Sequence, residues 1–473
     1  MNAAMIVIAL LVAACGRAVP GLPPDDDDSG DAGATMLDAA PDAYVAPTGD
    51  GVWARLSTGT GIPAFKAIAA DSDGSVVVVG TFTSPIDFGS GFVASRGGPD
   101  IFVVKVDAAG TPLWLHSFGS CASDEVASVA IAPDHSILVY GVAYFDTGSG
   151  SCRPVFAGGP IAATLSASAT MLVLVRYGAD GTEQWAKAYG TGGSTSIAGA
   201  MALGGDAIAI TGNSTYGVDF SPTVMTPQGG FVTVLGLDGV GRWARSFNAF
   251  SPYGGIAIDD HQVTVATTMN GAAEIGAAAP VVPFGSSDDL LVAYDVATDA
   301  YLWHQHLGGT MGEFVRGLST APDGSLWIAG YFWGSAHFGG GTLSVSGPGS
   351  DGFGARFTAA GVPIASMQSG VTPNEELTSC AAVSDRGMVE AGAKYDASLG
   401  QAQAVFRRLD ANANLVWEHV LAPTTQASVI ARASNGDLVS AGFVGANTTI
   451  ALPNLTPVTN GAVASGFIVR MKP

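Results

Sequence analysis

The chain has 473 residues, of which 48% are hydrophobic and 12% are charged, and it contains 65 glycines. This composition excludes a disordered chain and indicates a packed body rich in turns. Acidic residues outnumber lysine plus arginine by 40 to 19, a net charge of −21. Such an excess opposes a phosphate backbone, so we expect no nucleic-acid partner.

The first segment predicts export. Residues 1–14 (MNAAMIVIALLVAA) form a short apolar run that ends in small residues before Cys15. Such a run is typical of a signal peptide and is too short to cross a membrane. The V-A-A-C ending resembles the lipobox of bacterial lipoproteins, which implies that the Cys15 thiol is lipidated. An ordinary signal peptide with an incidental cysteine is the alternative, and no lysine or arginine precedes the run.

Residues 15–50 predict a tether that begins at the lipidated cysteine. The segment is rich in proline, aspartate and alanine and has almost no aromatic residues. It cannot bury enough apolar area to offset the entropy lost on ordering, so we expect a flexible, self-repelling chain. Four adjacent aspartates have no fixed geometry, and we interpret them as solvated charge and not as a metal site.

From residue 51 onward one hairpin recurs, as in DIFVVKVDAAGTPLWLHSFG, LVLVRYGADGTEQWAKAYG, FVTVLGLDGVGRWARSF and AVFRRLDANANLVWEHV. Its second strand has one aromatic position, repeated about every sixty residues: Trp53, Trp114, Trp185, Trp243, Trp303, Ala365 and Trp417. Two more apolar runs with a tight polar turn follow each hairpin, as in VRGLSTAPDGSLWIAGYF. Each repeat therefore predicts four strands with D-G or N-G turns.

These repeats predict an all-β fold. A lone four-stranded sheet cannot cover its own apolar faces, whereas sheets packed around an axis can. Seven repeats over residues 51–473 predict a seven-bladed β-propeller of four-stranded antiparallel blades. The N-terminal GVWARLS lacks a preceding strand, and the C-terminal GFIVRMKP lacks a following one. We therefore expect the closing blade to be shared between the two termini, which removes an open edge.

The repeats resemble the SBBP-type β-propeller repeat over residues 51–473, with the largest departures at 195–289. That repeat is common in secreted and lipoprotein-type proteins of delta-proteobacteria, including myxobacteria, and the resemblance implies the fold without an activity. By analogy with related propellers, the VASVAIAPD-type strand is innermost and the tryptophan strand outermost. We therefore expect a structural blade-docking role for the six tryptophans: Trp53, Trp114, Trp185, Trp243, Trp303 and Trp417.

Three further cysteines follow the predicted lipidation site. Cys121 directly precedes an innermost strand, and Cys152 follows the next strand of the same blade. These two points lie on one face of an up-and-down sheet, so a Cys121–Cys152 disulfide is plausible. Cys380, within LTSCAAV, is expected to be a buried free thiol.

No sequence motif predicts a catalytic residue, a metal site or a cofactor. His304 and His306 form H-x-H on one strand, but that strand is predicted to be outermost and a third ligand is missing. Asp71–Ser75 (DSDGS) is too short for a calcium loop and is explained by turn chemistry.

Acidic residues open three predicted innermost strands on the face where long connections emerge. Long loops on a rigid ring often carry recognition, whereas solvation of the rim is the alternative reading of the acids. The long connections are residues 143–170, 213–230, 268–289 and 443–465. The candidate ligand face comprises Asp124, Glu125, Glu313, Glu375 and Glu376.

We therefore expect a non-enzymatic, lipid-anchored envelope protein whose propeller binds or scaffolds an unknown protein or glycan. We expect a monomer, attached through lipid only, with the outer membrane as its site. One alternative is the propeller lipoprotein of outer-membrane assembly, whose docking repeat is similar but which has eight blades of shorter repeats. The other is a propeller enzyme, such as a lyase, a glycosidase or a quinoprotein, with its site at the central mouth.

Overall fold

The computed structural model describes residues 48–473 except 147–151, 157–158, 161–167, 191–194, 227, 249, 346–348, 370–374 and 397. The predicted signal peptide, Cys15 and the tether up to residue 47 lie outside the described residues. Contacts group residues 47–473 into one compact unit.

Within the described residues, the regular structure consists of strands alone. Strands β1 to β19 are β1 (Gly51–Leu56), β2 (Thr58–Gly59), β3 (Ala64–Ala70), β4 (Val76–Phe82), β5 (Ile86–Asp87), β6 (Asp100–Val106), β7 (Pro112–Phe118), β8 (Glu125–Ile131), β9 (Ile137–Phe145), β10 (Val155–Phe156), β11 (Gly159–Pro160), β12 (Ala169–Tyr177), β13 (Glu183–Tyr189), β14 (Ser196–Gly204), β15 (Ala207–Ser214), β16 (Val218–Ser221), β17 (Val224–Thr226), β18 (Gly229–Gly236) and β19 (Gly241–Phe247). Strands β20 to β38 are β20 (Phe250–Ile258), β21 (Gln262–Met269), β22 (Asp288–Asp295), β23 (Tyr301–Gly309), β24 (Glu313–Thr320), β25 (Leu326–Trp333), β26 (Ser335–His337), β27 (Thr342–Ser344), β28 (Ser350–Phe357), β29 (Pro363–Ser369), β30 (Glu375–Ala382), β31 (Met388–Asp396), β32 (Gln401–Leu409), β33 (Leu415–Pro423), β34 (Thr425–Arg432), β35 (Leu438–Val444), β36 (Thr449–Ile450), β37 (Val458–Thr459) and β38 (Ser465–Met471).

The strands form an all-β propeller of antiparallel sheets. Six sheets are four-stranded blades, with strand orders β3-β4-β6-β7, β8-β9-β12-β13, β14-β15-β18-β19, β24-β25-β28-β29, β30-β31-β32-β33 and β34-β35-β38-β1. A six-stranded sheet has the order β20-β21-β22-β23-β26-β27. The first strand of each order is innermost and lines a common central channel. Three short hairpins, β10-β11, β16-β17 and β36-β37, lie within connections between the second and third strands of a sheet.

The predicted count of seven four-stranded blades is wrong, because the number of four-stranded blades is six. The repeat that begins at Phe250 continues past its fourth strand, where Gly308 pairs with His337 and Gly309 with Ala336. A Cβ on Gly309 would strike the carbonyl oxygen of Ser335, so only glycine admits this approach. The hairpin β26-β27 thereby joins the sheet of the preceding repeat.

The two termini share the closing blade. Gly51–Leu56 pairs antiparallel with Ser465–Met471, and Trp53 lies opposite Arg470. The amide of Lys472 donates to the carbonyl of Asp50 at 2.7 Å. Three strands therefore come from the C-terminal end and one from the N-terminal end, as the sequence predicted.

Side-chain burial follows the position of a strand in its sheet. Every residue of Val76–Phe82 and of Asp100–Val106 is buried. Both are middle strands, covered on each face by a neighbouring sheet, which explains their continuous apolar sequence. The outer strand Pro112–Phe118 is mostly half-buried. The core is therefore distributed between adjacent sheets around the ring.

The repeated tryptophans lie on the outermost strands and contact the next sheet. Trp53 Nε1 donates to the carbonyl of Ala108 at 3.0 Å, and Trp243 Nε1 donates to that of Val296 at 2.8 Å. Each acceptor belongs to the turn before the next outermost strand. The ring of Trp303 lies against Gly361 in the corresponding turn. At Trp53 and Trp243 the indole thus packs its ring and satisfies its N–H at one inter-sheet contact.

A basic residue near the end of most third strands makes a second repeated contact. Arg470, for example, donates to Asp437 at 2.9 Å within its own sheet. Its Nη1 donates to the carbonyls of Gly74 and Ala108 in the next sheet. The equivalent ion pairs are Lys105 with Asp71, Arg176 with Asp134, Arg356 with Asp323 and Arg408 with Asp385. These residues lie at the end of the propeller that carries the two- or three-residue turns, called the turn face below.

Candidate binding site at the channel mouth

The end opposite the turn face carries the connections between second and third strands and the starts of the innermost strands. We call it the long-connection face. Each innermost strand has a register shift within its first residues on this face. The shifts lie between Phe65 and Ala67, Val126 and Ser128, Ala198 and Met201, Phe250 and Gly254, Val315 and Gly317, Leu377 and Ser379, and Ala427 and Val429. A β-bulge of this kind re-aims a side chain.

The bulged residues line the central channel at equivalent positions. They include Lys66, Ala127, Gly199, Ala200, Arg316, Thr378 and Ser428. The channel encloses a cavity of about 570 Å³, a volume in the range of small-molecule sites. Most of these side chains are small, so the two cationic side chains dominate the chemistry of the cavity wall.

Arg316 is held in place by aromatic residues. Its Nη2 donates to the Tyr331 hydroxyl at 2.7 Å. The guanidinium carbon lies 5.6 Å from the centre of the Phe314 ring and 5.3 Å from that of Tyr331. Trp333 packs edge-on against both rings, with centroid separations of 5.7 and 5.4 Å. Arg316 is therefore oriented by cation–π contacts and one hydrogen bond.

Three of the five acids that the sequence placed at the ligand face are fully buried: Asp124, Glu313 and Glu375. They occupy equivalent positions at the starts of innermost strands, and Asp124 and Glu313 each face an acid on the third strand of the preceding sheet. Their carboxylates therefore lie between sheets and offer nothing to a ligand in the channel. Glu125 and Glu376 are exposed, and Glu125 lines the cavity.

Asp124 pairs with Asp100. Both carboxylates lie against Gly119. Asp124 accepts hydrogen bonds from the amide of Ser120 at 2.6 Å and that of Tyr144 at 2.9 Å. Burial raises the pKa of Asp100 to about 6, and the charge of Asp124 adds to this shift. Burial also raises the pKa of Asp124.

Glu313 lies beside two acids of the preceding sheet, Asp288 and Asp289. Neither carboxylate oxygen of Glu313 has a hydrogen-bond partner among the described residues. Burial, together with the charges of Asp289 and Asp288, raises the pKa of Glu313 to about 8. Burial likewise raises the pKa of Asp289 to about 7. Asp288 contacts His306 Nε2 at 2.5 Å.

Glu375 differs from Asp124 and Glu313 because basic side chains lie beside its carboxylate. Arg407 contacts its carboxylate at 2.7 Å, and Lys394 lies 3.8 Å away. Burial still raises the pKa of Glu375, although the charge of Arg407 opposes the shift. The acid of the preceding sheet, Asp351, instead accepts a hydrogen bond from Gln368.

The cysteines and histidines occupy structural positions. Cys121 and Cys152 form a disulfide with their Cα atoms 4.8 Å apart, and Cys380 is a buried free thiol. His306 stacks on Phe284 at 3.9 Å, and His304 contacts the Tyr301 hydroxyl at 2.6 Å. The described residues contain no group of three or more histidine, cysteine or carboxylate side chains suited to a metal ion.

Exposed apolar side chains are frequent in or beside the connections that leave the long-connection face. They are Ile62, Phe92, Tyr216, Met225, Val282, Phe284, Met311, Tyr395, Leu399 and Val463. The other large apolar side chains that are exposed in the described part of the chain belong to outermost strands or their turns. Across residues 48–473, the described segments include no helix with the length and hydropathy needed to cross a bilayer.

Lys66, Arg316 and the aromatic group around Arg316, which is Phe314, Tyr331 and Trp333, were not predicted from the sequence. A signal was present, because AFKAIAA and EFVRGLS each place one basic residue inside an otherwise apolar innermost strand. The channel-facing direction of that residue depends on the bulge, which strand alternation does not reveal.

The known proteins that resemble this chain are distant from it in sequence. No protein-family model matches the chain. The chain is 26% identical over 329 residues to the regulatory protein FlaEY of Caulobacter vibrioides, a match that covers 64% of this chain and 33% of that protein. The chain thus spans about a third of the length of this curated relative. The resemblance to the SBBP-type repeat stays a prediction.

Similar solved structures are also distant. A streptogramin B lyase shares 10% identity at a TM-score of 0.39, covering 88% of this chain and 98% of that one. A virginiamycin B lyase from Staphylococcus aureus shares 11% identity at 0.39, covering 88% and 99%. A europium-containing methanol dehydrogenase shares 11% identity at 0.38, covering 91% and 92%. Likeness at this level says nothing about the activity of this chain.

Proposed function

We propose that this protein is a non-enzymatic binding or scaffolding module of the bacterial cell envelope, with its recognition site on the long-connection face. The observation that carries the proposal is the number of exposed apolar side chains in or beside the connections that leave that face. Exposed apolar side chains that gather in a patch mark interaction sites. The partner is a protein or a glycan of the envelope.

The charge distribution supports a binding role over catalysis. The acids that could have formed a catalytic pair at the mouth, Asp124 and Glu313, are buried between sheets. General acid–base chemistry requires such groups within hydrogen-bonding reach of a substrate. The relative from Caulobacter vibrioides is named a regulatory protein, which agrees with a non-catalytic role.

The recognition face can be tested by capture from envelope extracts. Phe92→Ser and Phe284→Ser change side chains that are 65% and 66% exposed on the long-connection face. Leu113→Ser and Leu415→Ser, 51% and 52% exposed on outermost strands, are matched controls. We expect the first pair to abolish capture of a partner and the second pair to leave it unchanged. The opposite pattern would move the site to the perimeter.

The envelope location rests on a separate proposal, lipidation of Cys15. We expect Cys15→Ser to move the protein from the membrane fraction to the soluble fraction, because a lipid chain supplies the anchor. Mass spectrometry of the wild-type N-terminus should show the acyl group. A variant that stays membrane-bound after normal cleavage would contradict the lipobox interpretation.

A further inference from the structure

We propose that the central channel binds a small ligand through an anionic group, a carboxylate or phosphate, held by Arg316 with help from Lys66. The inference rests on the proposed binding role and names the ligand chemistry of the channel mouth. It is drawn from the aromatic mounting of Arg316, its lack of an acidic partner and the composition of the channel wall.

Arg316 is oriented before any ligand arrives. The Tyr331 hydroxyl and the rings of Phe314 and Tyr331 fix the guanidinium at the wall of the cavity. A guanidinium retains several donors in a planar fork that matches a carboxylate or a phosphate. Because one nitrogen is used by Tyr331, the remaining donors are available on the cavity side. Preorganisation of this kind lowers the entropy cost of binding.

Arg316 is also not neutralised by an ion pair. The arginines with a carboxylate within 4 Å are Arg176, Arg242, Arg245, Arg356, Arg407, Arg408 and Arg470. Among the described residues, Arg316 has no such partner. Its charge lowers the pKa of the buried Asp289 in the preceding sheet, but that carboxylate lies beyond ion-pair distance. A ligand anion in the channel would supply the direct ion pair that Arg316 lacks.

The rest of the wall favours a small anion. Lys66 occupies the equivalent bulge in another sheet and is exposed to the same cavity. Glu125 is the single acid that lines the cavity among the described residues, so the wall carries two cations against one acid. The protein as a whole has a net charge of −21. Polyanions are therefore repelled by the surface, whereas a small anion can reach the local positive site.

The aromatic residues around Arg316 indicate which kind of molecule would carry the anionic group. Phe314 and Trp333 are half-buried beside Arg316, so part of each ring surface stays exposed there. A sugar ring or a planar ring carrying the anion could rest on this surface while its charged group reaches Arg316. Sugar acids and aromatic carboxylates are the two ligand sources that fit.

Calorimetric titration of the mature protein distinguishes these sources. The probes are glucuronate, benzoate and inorganic phosphate, with glucose and benzyl alcohol as neutral analogues. We expect at least one anion to bind at least about tenfold more tightly than its neutral analogue, with an affinity that falls as salt is added. A preference for glucuronate indicates a sugar acid, and a preference for benzoate an aromatic carboxylate. Equal binding of the neutral analogues, or no anion binding at millimolar concentration, would overturn the proposal.

Variants assign the effect to the channel. We expect Arg316→Met to weaken anion binding by about tenfold or more, and Tyr331→Phe to weaken it a few-fold because the arginine loses its orienting hydrogen bond. Because Tyr331→Phe keeps the aromatic ring, we expect this variant to fold normally. An unchanged melting temperature would show that the fold of each variant is intact. Lys187→Met, on an outermost strand, is the matched control. Unchanged binding by Arg316→Met with an intact fold would contradict the assignment.

The two proposals can fail separately. If no anion binds while capture from envelope extracts still depends on Phe92 and Phe284, the anion site is wrong and the recognition face stands. If Arg316-dependent anion binding is present but capture is insensitive to these phenylalanines, the channel is a site and the recognition face is wrong.

Discussion

Charged side chains have opposite kinds of partner at the two ends of the propeller, and strand β6 carries one example of each kind. At the turn face, its Lys105 forms an ion pair with Asp71. At the long-connection face, its Asp100 lies against a second acid, Asp124. The first arrangement recurs in five sheets as a basic residue paired with an acid, whereas the second recurs as an acid facing an acid.

This difference separates stabilising positions from costly ones. At the turn face a buried cation is compensated by a carboxylate and, as at Arg470, by carbonyls of the next sheet. A buried carboxyl beside another carboxyl, as at Glu313, loses solvation and gains repulsion. Proteins tolerate unfavourable groups mainly where function limits the alternatives. The comparison thus agrees with a turn face that maintains the ring and a long-connection face that carries recognition.

The largest expected effect comes from opening the ring. Deleting residues 51–57 removes the outer strand of the closing blade and exposes the apolar edge of Ser465–Met471. It also removes Trp53, which contacts the next sheet. We expect the melting temperature to fall by more than about 10 °C, measured by calorimetry. An unchanged melting temperature would mean that closing the ring through the shared blade contributes little to the stability of either face.

The turn face can be tested at Arg470, which is 3% exposed. Arg470→Ala leaves Asp437 and three acceptors in neighbouring segments without their donor. We expect the free energy of unfolding to fall by about 3–5 kcal/mol in chemical denaturation. Lys472→Ala removes another cation from Asp437, but its side chain is 52% exposed. We expect that control to cost less than about 1 kcal/mol, and similar losses for both variants would contradict the special role of the turn face.

The sequence predicted the turn face and the perimeter well because they repeat. The D-G turns, the tryptophan position and the basic residue before it recur at a nearly constant spacing, so one interpretation applies to every repeat. Closure by GVWARLS and GFIVRMKP could be predicted because each segment lacked a hairpin partner. Ala365, which breaks the tryptophan pattern, still lies at the equivalent outer-strand position.

The long-connection face could not be predicted to the same depth because its contacts cross between repeats. Glu313 looked like a rim acid, and only the position of Asp288 and Asp289 in the preceding sheet shows that it is buried. The six-stranded sheet depends on Gly309 approaching a hairpin that follows the next two strands. The channel-facing position of Arg316 depends on a bulge. The repeating pattern of the sequence reveals none of these three structural features.

A further test concerns how the long-connection face is held together. The Cys121–Cys152 disulfide spans 31 residues and lies beside the Asp100–Asp124 pair, since Ser120 bonds to Asp124. We expect replacement of both cysteines by serine to lower the free energy of unfolding by about 2–4 kcal/mol, because the unfolded chain regains freedom. Mass mapping should find Cys380 alkylated only after unfolding, because it is buried. Finding Cys380 in a disulfide would contradict the assignment of all three thiols.

An effect of opposite sign is expected at Glu313, where replacing the acid should stabilise the protein. Its pKa is raised to about 8 from an ordinary value of 4.5 by burial and by Asp289 and Asp288, with Asp288 also contacting His306. Between these two pH values the folded state holds a proton that the unfolded state has released, so stability falls as pH rises from about 4.5 to about 8. Glu313→Gln removes this dependence. We therefore expect it to match the wild type below pH 4.5 and to be more stable above pH 8, by up to about 5 kcal/mol, since one pKa unit corresponds to about 1.4 kcal/mol. Glu376→Gln, at an exposed side chain one blade further on, should change stability by less than about 0.5 kcal/mol at any pH. A Glu313→Gln variant that is less stable than the wild type in alkali would show that this acid has a partner at the junction, and that the two ends of the propeller do not differ as described.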